Sequence, residues 1–219
     1  MSRWMRRCLK SSSLALLCLA GSCASPYRSL KPAGPPVVSA ARYQPVFEKA
    51  LYRCVVDGRF FFRRFRLSGV LLLKRMPDHT TRAVFQNEMG FSFFDFEWDD
   101  RDSFKVNRVI PQLDKPAVIA TLEKDLRLLL MKGLDYGSEQ YYRDDAATWH
   151  RFTLDKGYAW YVEENNLLTR IENSGKRRVI TMGLSGPGQP GSLPGGVLIR
   201  HHRAGFTIQL HKINQDASE

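Results

Sequence analysis

The side chains of this chain that could do chemistry are scattered rather than grouped. Its five histidines, His79, His150, His201, His202 and His211, show neither paired helical spacing nor a carboxylate at a ligand offset, so they read as surface residues rather than metal ligands. Adjacent residues of a strand face opposite sides, which keeps His201 and His202 from sharing one ion. Asp99, Asp100 and Asp102 lack the glycine and distal glutamate of a calcium loop and read as a solvated turn. Gly186-Pro187-Gly188-Gln189-Pro190-Gly191 spells a dinucleotide fingerprint, yet it precedes a strand, and its prolines remove amides that a phosphate would need. Gly183-Leu184-Ser185 begins like a nucleophile elbow, but Pro187 stands where the final glycine belongs. With no nucleophile, base and orienter to name, the chain reads as a non-enzyme without metal or cofactor.

One cysteine does suggest covalent chemistry. Arg3, Arg6, Arg7 and Lys10 precede the apolar run from Leu14 to Ala20, the pattern of an export signal over residues 1–22. That run is too short for a bilayer span, which takes roughly 20 apolar residues. Leu19-Ala20-Gly21-Ser22-Cys23 resembles a bacterial lipobox, in which the cysteine is acylated with palmitate-type chains and becomes the mature N-terminus; the other reading is an ordinary secretory cut near Ser22. Each buried methylene of such an anchor contributes about 0.8 kcal/mol, so two or three chains hold a protein at a membrane. Cys8 and Cys18 leave with the signal, so Cys54 alone of the four cysteines stays in the folded part, where a core position is expected. Loss of residues 1–22 lowers the net charge from +11 to about +7, which suits a protein working beside anionic headgroups. Export disfavours a nucleic-acid partner.

The elements that would position a site follow from periodicity. Residues 23–45 carry Pro26, Pro32, Pro35, Pro36 and Pro45 among small residues and read as a tether behind the anchor. Residues 46–215 read as the folded domain. Three strands, Gly69 to Lys74, Arg82 to Gln86 and Phe91 to Trp98, form a meander joined by the turns Met76-Pro77-Asp78-His79 and Asn87-Glu88-Met89-Gly90. Upstream, Phe47 to Val56 and Phe60 to Leu67 are expected to flank a turn at Asp57-Gly58, and Lys105 to Ile110 follows downstream. Asp114 and Pro116 then open one helix, with Val118, Ile119, Leu122, Leu126, Leu129 and Leu130 at helical spacing up to Gly133. Further strands run from Trp149 to Ile213, with hairpin turns at Asp155-Lys156-Gly157, Glu164-Asn165-Asn166, Ser174-Gly175 and Arg203-Ala204-Gly205. The class is mainly β with one covering helix (α+β), and the strands number about eleven in an antiparallel meander.

Such a sheet has more apolar surface than one helix can cover. Leu71, Leu73, Phe85, Phe93, Trp160, Ile180 and Ile208 are the expected lining of an apolar gap between sheet and helix, and an apolar gap suits lipid. Basic clusters at Arg63, Arg64 and Arg66, at Lys176 to Arg178, and from Arg200 to Arg203 could face anionic lipid or could simply be solvated.

A lipobox, a tether, a strand meander, a helix and a terminal strand group ending Leu193-Pro194-Gly195-Gly196-Val197-Leu198-Ile199 and Phe206-Thr207-Ile208-Gln209-Leu210 resemble the LolA/LolB lipoprotein-localisation superfamily. The resemblance implies an unclosed half-barrel covered by a helix region around a cavity for acyl chains. It also implies an outer-membrane lipoprotein, facing the periplasm, that receives or inserts lipoproteins as a chaperone of protein transport and takes them from a periplasmic carrier. Ala24 and Ser25 rather than Asp after Cys23 resemble an outer-membrane sorting signal. Met89-Gly90 matches the turn that LolB-like receptors use, through an apolar residue before glycine, to insert acyl chains into the membrane; the alternative is a Met89 tucked under the sheet. A second class of function is a non-transport adaptor for envelope proteins on the same fold.

Overall fold

The computed structural model describes residues 27–34, 38–60, 63–186 and 189–213, without the side chains of 60 and 63. The chain divides into two units, residues 1–30 and 31–219; all that follows concerns the second, and Cys23 lies outside the described residues. Its strands are β1 (Lys31–Ala33), β2 (Lys49–Phe60), β3 (Arg63–Arg75), β4 (Thr81–Gln86), β5 (Ser92–Trp98) and β6 (Phe104–Val109). After the helix α1 (Pro116–Leu129) come β7 (Gln140–Arg143), β8 (Thr148–Thr153), β9 (Tyr158–Glu164), β10 (Leu167–Ser174), β11 (Arg178–Ser185), β12 (Gly196–His201) and β13 (Phe206–Lys212). Short 3-10 turns occupy Ala40–Tyr43 and Tyr136–Ser138.

All thirteen strands join one antiparallel sheet in the order β1-β7-β8-β9-β10-β11-β12-β13-β2-β3-β4-β5-β6. Two meanders, β2 to β6 and β7 to β13, are thus sewn together where the last strand meets β2, with Ile208 opposite Val56 and Leu210 opposite Cys54. The sheet stays open, with β1 and β6 as its outer strands. This is the unclosed half-barrel expected of the sequence. Since β6 is one outer strand and β7 lies beside the other, the chain between them must cross the whole sheet. The helix α1 sits on that crossing, and its Leu126, Leu128 and Leu129 join Leu71, Leu73, Phe85, Ile171, Met182 and Ile208 in one core.

The local sequence accounts for most boundaries. Pro116 suits a first helical turn because it has no amide to leave unpaired; the cap is Lys115 rather than the expected Asp114, and its side chain makes no capping bond. The burial of β4 alternates strictly, as period-two packing against one core demands.

Several expectations need correction. Asp57-Gly58 is no turn: β2 runs on to Phe60 and pairs with β3 down to Phe60 opposite Arg63. Gly58 is read as a turn former, but here it lets Phe65 lie against the backbone, since a Cβ at position 58 would sit 2.3 Å from the Phe65 ring. Residues 31–45 are not all tether. Lys31-Pro32-Ala33 pairs with β7, a position at the sheet edge where proline is tolerated, and Ala40 and Tyr43 are buried in the core. With β7, this raises the strand number from about eleven to thirteen. Cys54 is buried as expected, and burial pushes its thiol up to about 12, which leaves it without a thiolate at neutral pH. Among the described residues no helix is long and apolar enough to cross a membrane.

The seam between β2 and its neighbours contains Tyr52, fully buried, whose hydroxyl donates to the carbonyl of Pro194 at 2.7 Å. Tyr52→Phe strands that carbonyl, so chemical unfolding should show a loss of about 1 to 2 kcal/mol. An unchanged midpoint would mean that the bond contributes nothing.

Candidate functional site

The inner face of the sheet is the candidate site. Leu71, Leu73, Phe85, Ile180 and Ile208 come together there, each buried in the common core. Phe93 is half-buried against the same core, its ring 4.8 Å from that of Phe85. Trp160 does not join them. It lies outside that core, in a cluster with Trp149 and Tyr142. Its indole donates to Ser174 Oγ at 2.8 Å, and the guanidinium of Arg151 lies 5.5 Å from its ring centre. In β9 the alternation puts Tyr161 inward and Trp160 outward. Both are buried, so hydrophobicity alone could not tell the two faces apart.

The cavity found on this face is small. A cavity of about 10 Å³ lies among Tyr43, Leu129, Met131, Leu168, Ile171 and Leu184, room for about one water and none for an acyl chain. The helix α1 packs on this face beside the turn at Tyr43 and the loop at Leu193.

Polar contacts along its length fasten it. His201 Nε2 and Asp125 Oδ2 are 2.9 Å apart, and both side chains are buried between helix and sheet. The His201 ring stacks on Phe206 at 3.9 Å, while Asp125 Oδ1 has no hydrogen-bond partner. Burial raises the Asp125 carboxyl above its ordinary range, against the opposing pull of His201. Tyr161 donates its hydroxyl proton to the carbonyl of Leu128 at 2.9 Å. At the C-terminal end of the helix, Asp102 accepts from Lys132 Nζ and from the backbone N–H of Gly133, each at 2.7 Å. Arg127 Nη2 donates to the Asp102 carbonyl at 3.2 Å. Asp102 is therefore a clasp for the helix and not the solvated turn residue that the sequence suggests.

A second buried network fixes the chain ahead of β2. Glu139 receives the Ser39 hydroxyl and the Ala40 amide, and His150 lies between Glu139 Oε1 at 2.7 Å and Glu163 Oε2 at 3.3 Å. Arg42 closes the network on Glu163 at 2.7 Å. Burial opposes ionisation of Glu139, but the bonds from His150, Ser39 and Ala40 outweigh it and hold the carboxyl below its ordinary range. The expectation of surface histidines thus fails at His150 and His201, which are buried opposite carboxylates far away in the sequence. No local signal could have announced either pairing. Among the described residues no group of histidine, cysteine and carboxylate side chains could hold a metal ion.

The β4–β5 turn is built to project its tip. The Asn87 side-chain carbonyl accepts from the N–H groups of Met89 at 3.0 Å and Phe91 at 2.8 Å, and Gly90 takes a φ of +81° that few other residues adopt. Met89 is 92% exposed and Phe91 59%, so Met89 is not tucked beneath the sheet.

The raised Asp125 carboxyl sets a testable sign. In the folded chain it holds its proton more tightly than in the unfolded one, so its contribution to stability is best below about pH 4 and falls as pH rises through the folded value. Asp125→Asn keeps an acceptor for His201 and removes that penalty. The melting temperature of the variant minus that of the wild type should be near zero at pH 4 and grow towards pH 8. A difference independent of pH would contradict the assignment. Glu139→Gln should act oppositely. It removes stability that is present above about pH 4.5, lowering it by about 3 kcal/mol at pH 7 and by little at pH 3, as thermal melts at the two pH values would show.

No family model matches the chain, and no curated protein matches it. Two solved structures are similar in outline. One is a domain from Vibrio parahaemolyticus that bears the provisional name outer membrane lipoprotein-sorting protein, at 7% identity and a TM-score of 0.48 over 81% of this chain and 89% of that one. The other is a DUF1329 family protein from Desulfovibrio piger, at 11% identity and a TM-score of 0.40 over 78% and 88%. At such identities the similarity concerns the arrangement of sheet and helix alone.

Proposed function

We propose that this chain is an envelope lipoprotein, anchored through acylated Cys23 in the outer membrane and facing the periplasm, whose half-barrel takes an acyl chain when α1 lifts. The observation that carries this reading is the apolar inner face, continuous from Phe85 to Ile171 and covered by α1 together with the turn at Tyr43 and the loop at Leu193. That helix is fastened through a buried carboxyl with one oxygen unsatisfied, a fastening that gives up little when it opens. Moving a lipid between two such cavities needs graded affinity and no bond chemistry. The cargo is an acyl chain or the lipid end of another lipoprotein, handed over by a periplasmic carrier. Met89, exposed on a braced turn, is the residue that enters the membrane.

A second reading, a protein-binding adaptor on the same fold, draws support from the small size of that cavity and the exposed Met89 and Phe91. Uptake of lipid separates the two. Residues 31–219 hold every strand, the helix and the core, so the polypeptide 23–219 made without acylation is a fair test object. Native mass spectrometry with added lipidated peptide should show a bound acyl chain. Asp125→Ala, which unfastens α1, should raise uptake several-fold, whereas Asp125→Asn, which keeps an acceptor for His201, should leave it near the wild-type level. A ligand-free mass in the wild type and both variants would sink the carrier reading. Met89→Glu should leave the melting temperature unchanged, as befits an exposed tip, and abolish lipoprotein release into vesicles; normal release would remove Met89 from the mechanism.

A further inference from the structure

Antiparallel pairing gathers alternate turns at one end of the sheet, and the charges there are not random. Phe60 lies opposite Arg63 at the β2–β3 hairpin, and Phe206 opposite Gly58 brings the β12–β13 turn beside it. Ile180 opposite His201 and Ser174 opposite Arg178 add the β10–β11 turn. Val70 opposite Gln86 places the β4–β5 turn at the same end. Ser174 opposite Tyr158 adds the β8–β9 turn. This end carries Arg64, Arg66, Lys156, Lys176, Arg177 and Arg203, all exposed, against Glu88, Asp155 and the Asp57 that pairs with Arg66. The turns at the opposite end carry Asp78, Asp99, Asp100, Asp144, Asp145 and Glu164, with Arg101 among them. The three basic clusters that are separate in the sequence therefore share one end of the molecule, and the domain is electrically polarised along its strands.

Apolar side chains stand exposed among these cations. Phe65 is 40% exposed, and Met89 and Phe91, on the β4–β5 turn at the same end, are 92% and 59% exposed. The β2–β3 hairpin also overhangs the end of β4: residues 63–68 lie beyond the pairing of Val70 with Gln86, about 20 Å of strand. Lys31, where the chain enters the domain, pairs with Arg143 next to the β7–β8 turn, at the acidic end.

We propose that this basic end, with Arg64, Lys176, Arg177 and Arg203 as its main cations, is a docking surface for an anionic lipid bilayer. Cations concentrated at one end, opposite an acidic one, fit a negative surface in one orientation, and exposed aromatic and methionine side chains fit the boundary of headgroups and acyl chains. Docking here does not depend on whether the interior takes an acyl chain, since none of these residues lines it. Basic residues on an overhanging strand also discourage pairing with another chain, but acidic residues would serve that purpose equally well.

Reversal of charge separates these explanations. The polypeptide 23–219 is sedimented with vesicles of phosphatidylcholine alone or of phosphatidylcholine with phosphatidylglycerol at 7:3. We expect binding to the anionic vesicles at least tenfold stronger than to the neutral ones, and its loss as sodium chloride is raised from 0.05 to 0.5 M. R64E/R177E/R203E should weaken it by about 100-fold or more, whereas R75E/R101E/K105E, an equal charge change at the acidic end, should leave most of it. Equal weakening by the two triple variants would overturn the proposal in favour of net charge alone. Equal binding to both vesicle types, or binding insensitive to salt, would overturn it even if a variant failed to fold. Lipid uptake with no vesicle docking would refute this surface and leave the carrier reading standing.

Discussion

An open sheet of thirteen strands has an apolar face that water cannot be left to cover, and α1 covers it with help from the turn at Tyr43 and the loop at Leu193. The connectivity decides where that helix goes. The chain leaves the sheet at one outer strand, β6, and re-enters beside the other at β7, so the segment between them has to pass across the inner face. The period of Leu122, Leu126 and Leu129 turns that segment into a helix with one apolar side. Burial of its leucines contributes about 1.5 to 3 kcal/mol each, and polar contacts fix its position.

Those polar contacts differ in quality. The clasp of Asp102 on Lys132 and Gly133 lies partly in solvent and satisfies the end of the helix. Asp125 is buried with one oxygen unpaired and a raised carboxyl, which makes it specific in position and poor in stability. A helix fastened firmly at its end and weakly in its middle is suited to opening, and the one-water cavity along Leu129 and Met131 adjoins the buried 3-10 turn at Tyr43. The network of Glu139, His150, Glu163 and Arg42 holds the segment that carries this turn against β7, β8 and β9, so one wall of the cavity is fixed by ion pairs while another is the helix itself.

Much of this was legible in the sequence because strands and turns are local. Met76-Pro77-Asp78-His79 and Asn87-Glu88-Met89-Gly90 mark their hairpins through residues that tolerate tight backbone, and Leu71, Leu73, Phe85, Ile180 and Ile208 were identifiable as inward by alternation. What escaped was long-range or ambiguous. Lys31-Pro32-Ala33 looks like tether because proline is poor in sheets, and only its place at the outer edge makes it a strand. Asp57-Gly58 has the composition of a turn, but the ring of Phe65 fills the space above Gly58 and β2 stays paired with β3 as far as Phe60 opposite Arg63. Trp160 sits in a strand buried on both faces, where parity cannot be read. His150 and His201 owe their burial to Glu139 and Asp125, partners that only the fold brings near.

The central claim is that α1 is a cover that opens without unfolding of the sheet, and native-state hydrogen exchange tests it most directly. The amides of Leu126 to Leu130 should exchange through an opening that costs several kcal/mol less than global unfolding, while those of β2 and β13, sewn together at the middle of the sheet, exchange only when the whole domain unfolds. Added lipidated peptide should change protection in α1 and leave the seam unaltered. If the helix amides are as well protected as those of the seam, with or without lipid, α1 is a permanent part of the core and the interior is not a lipid site.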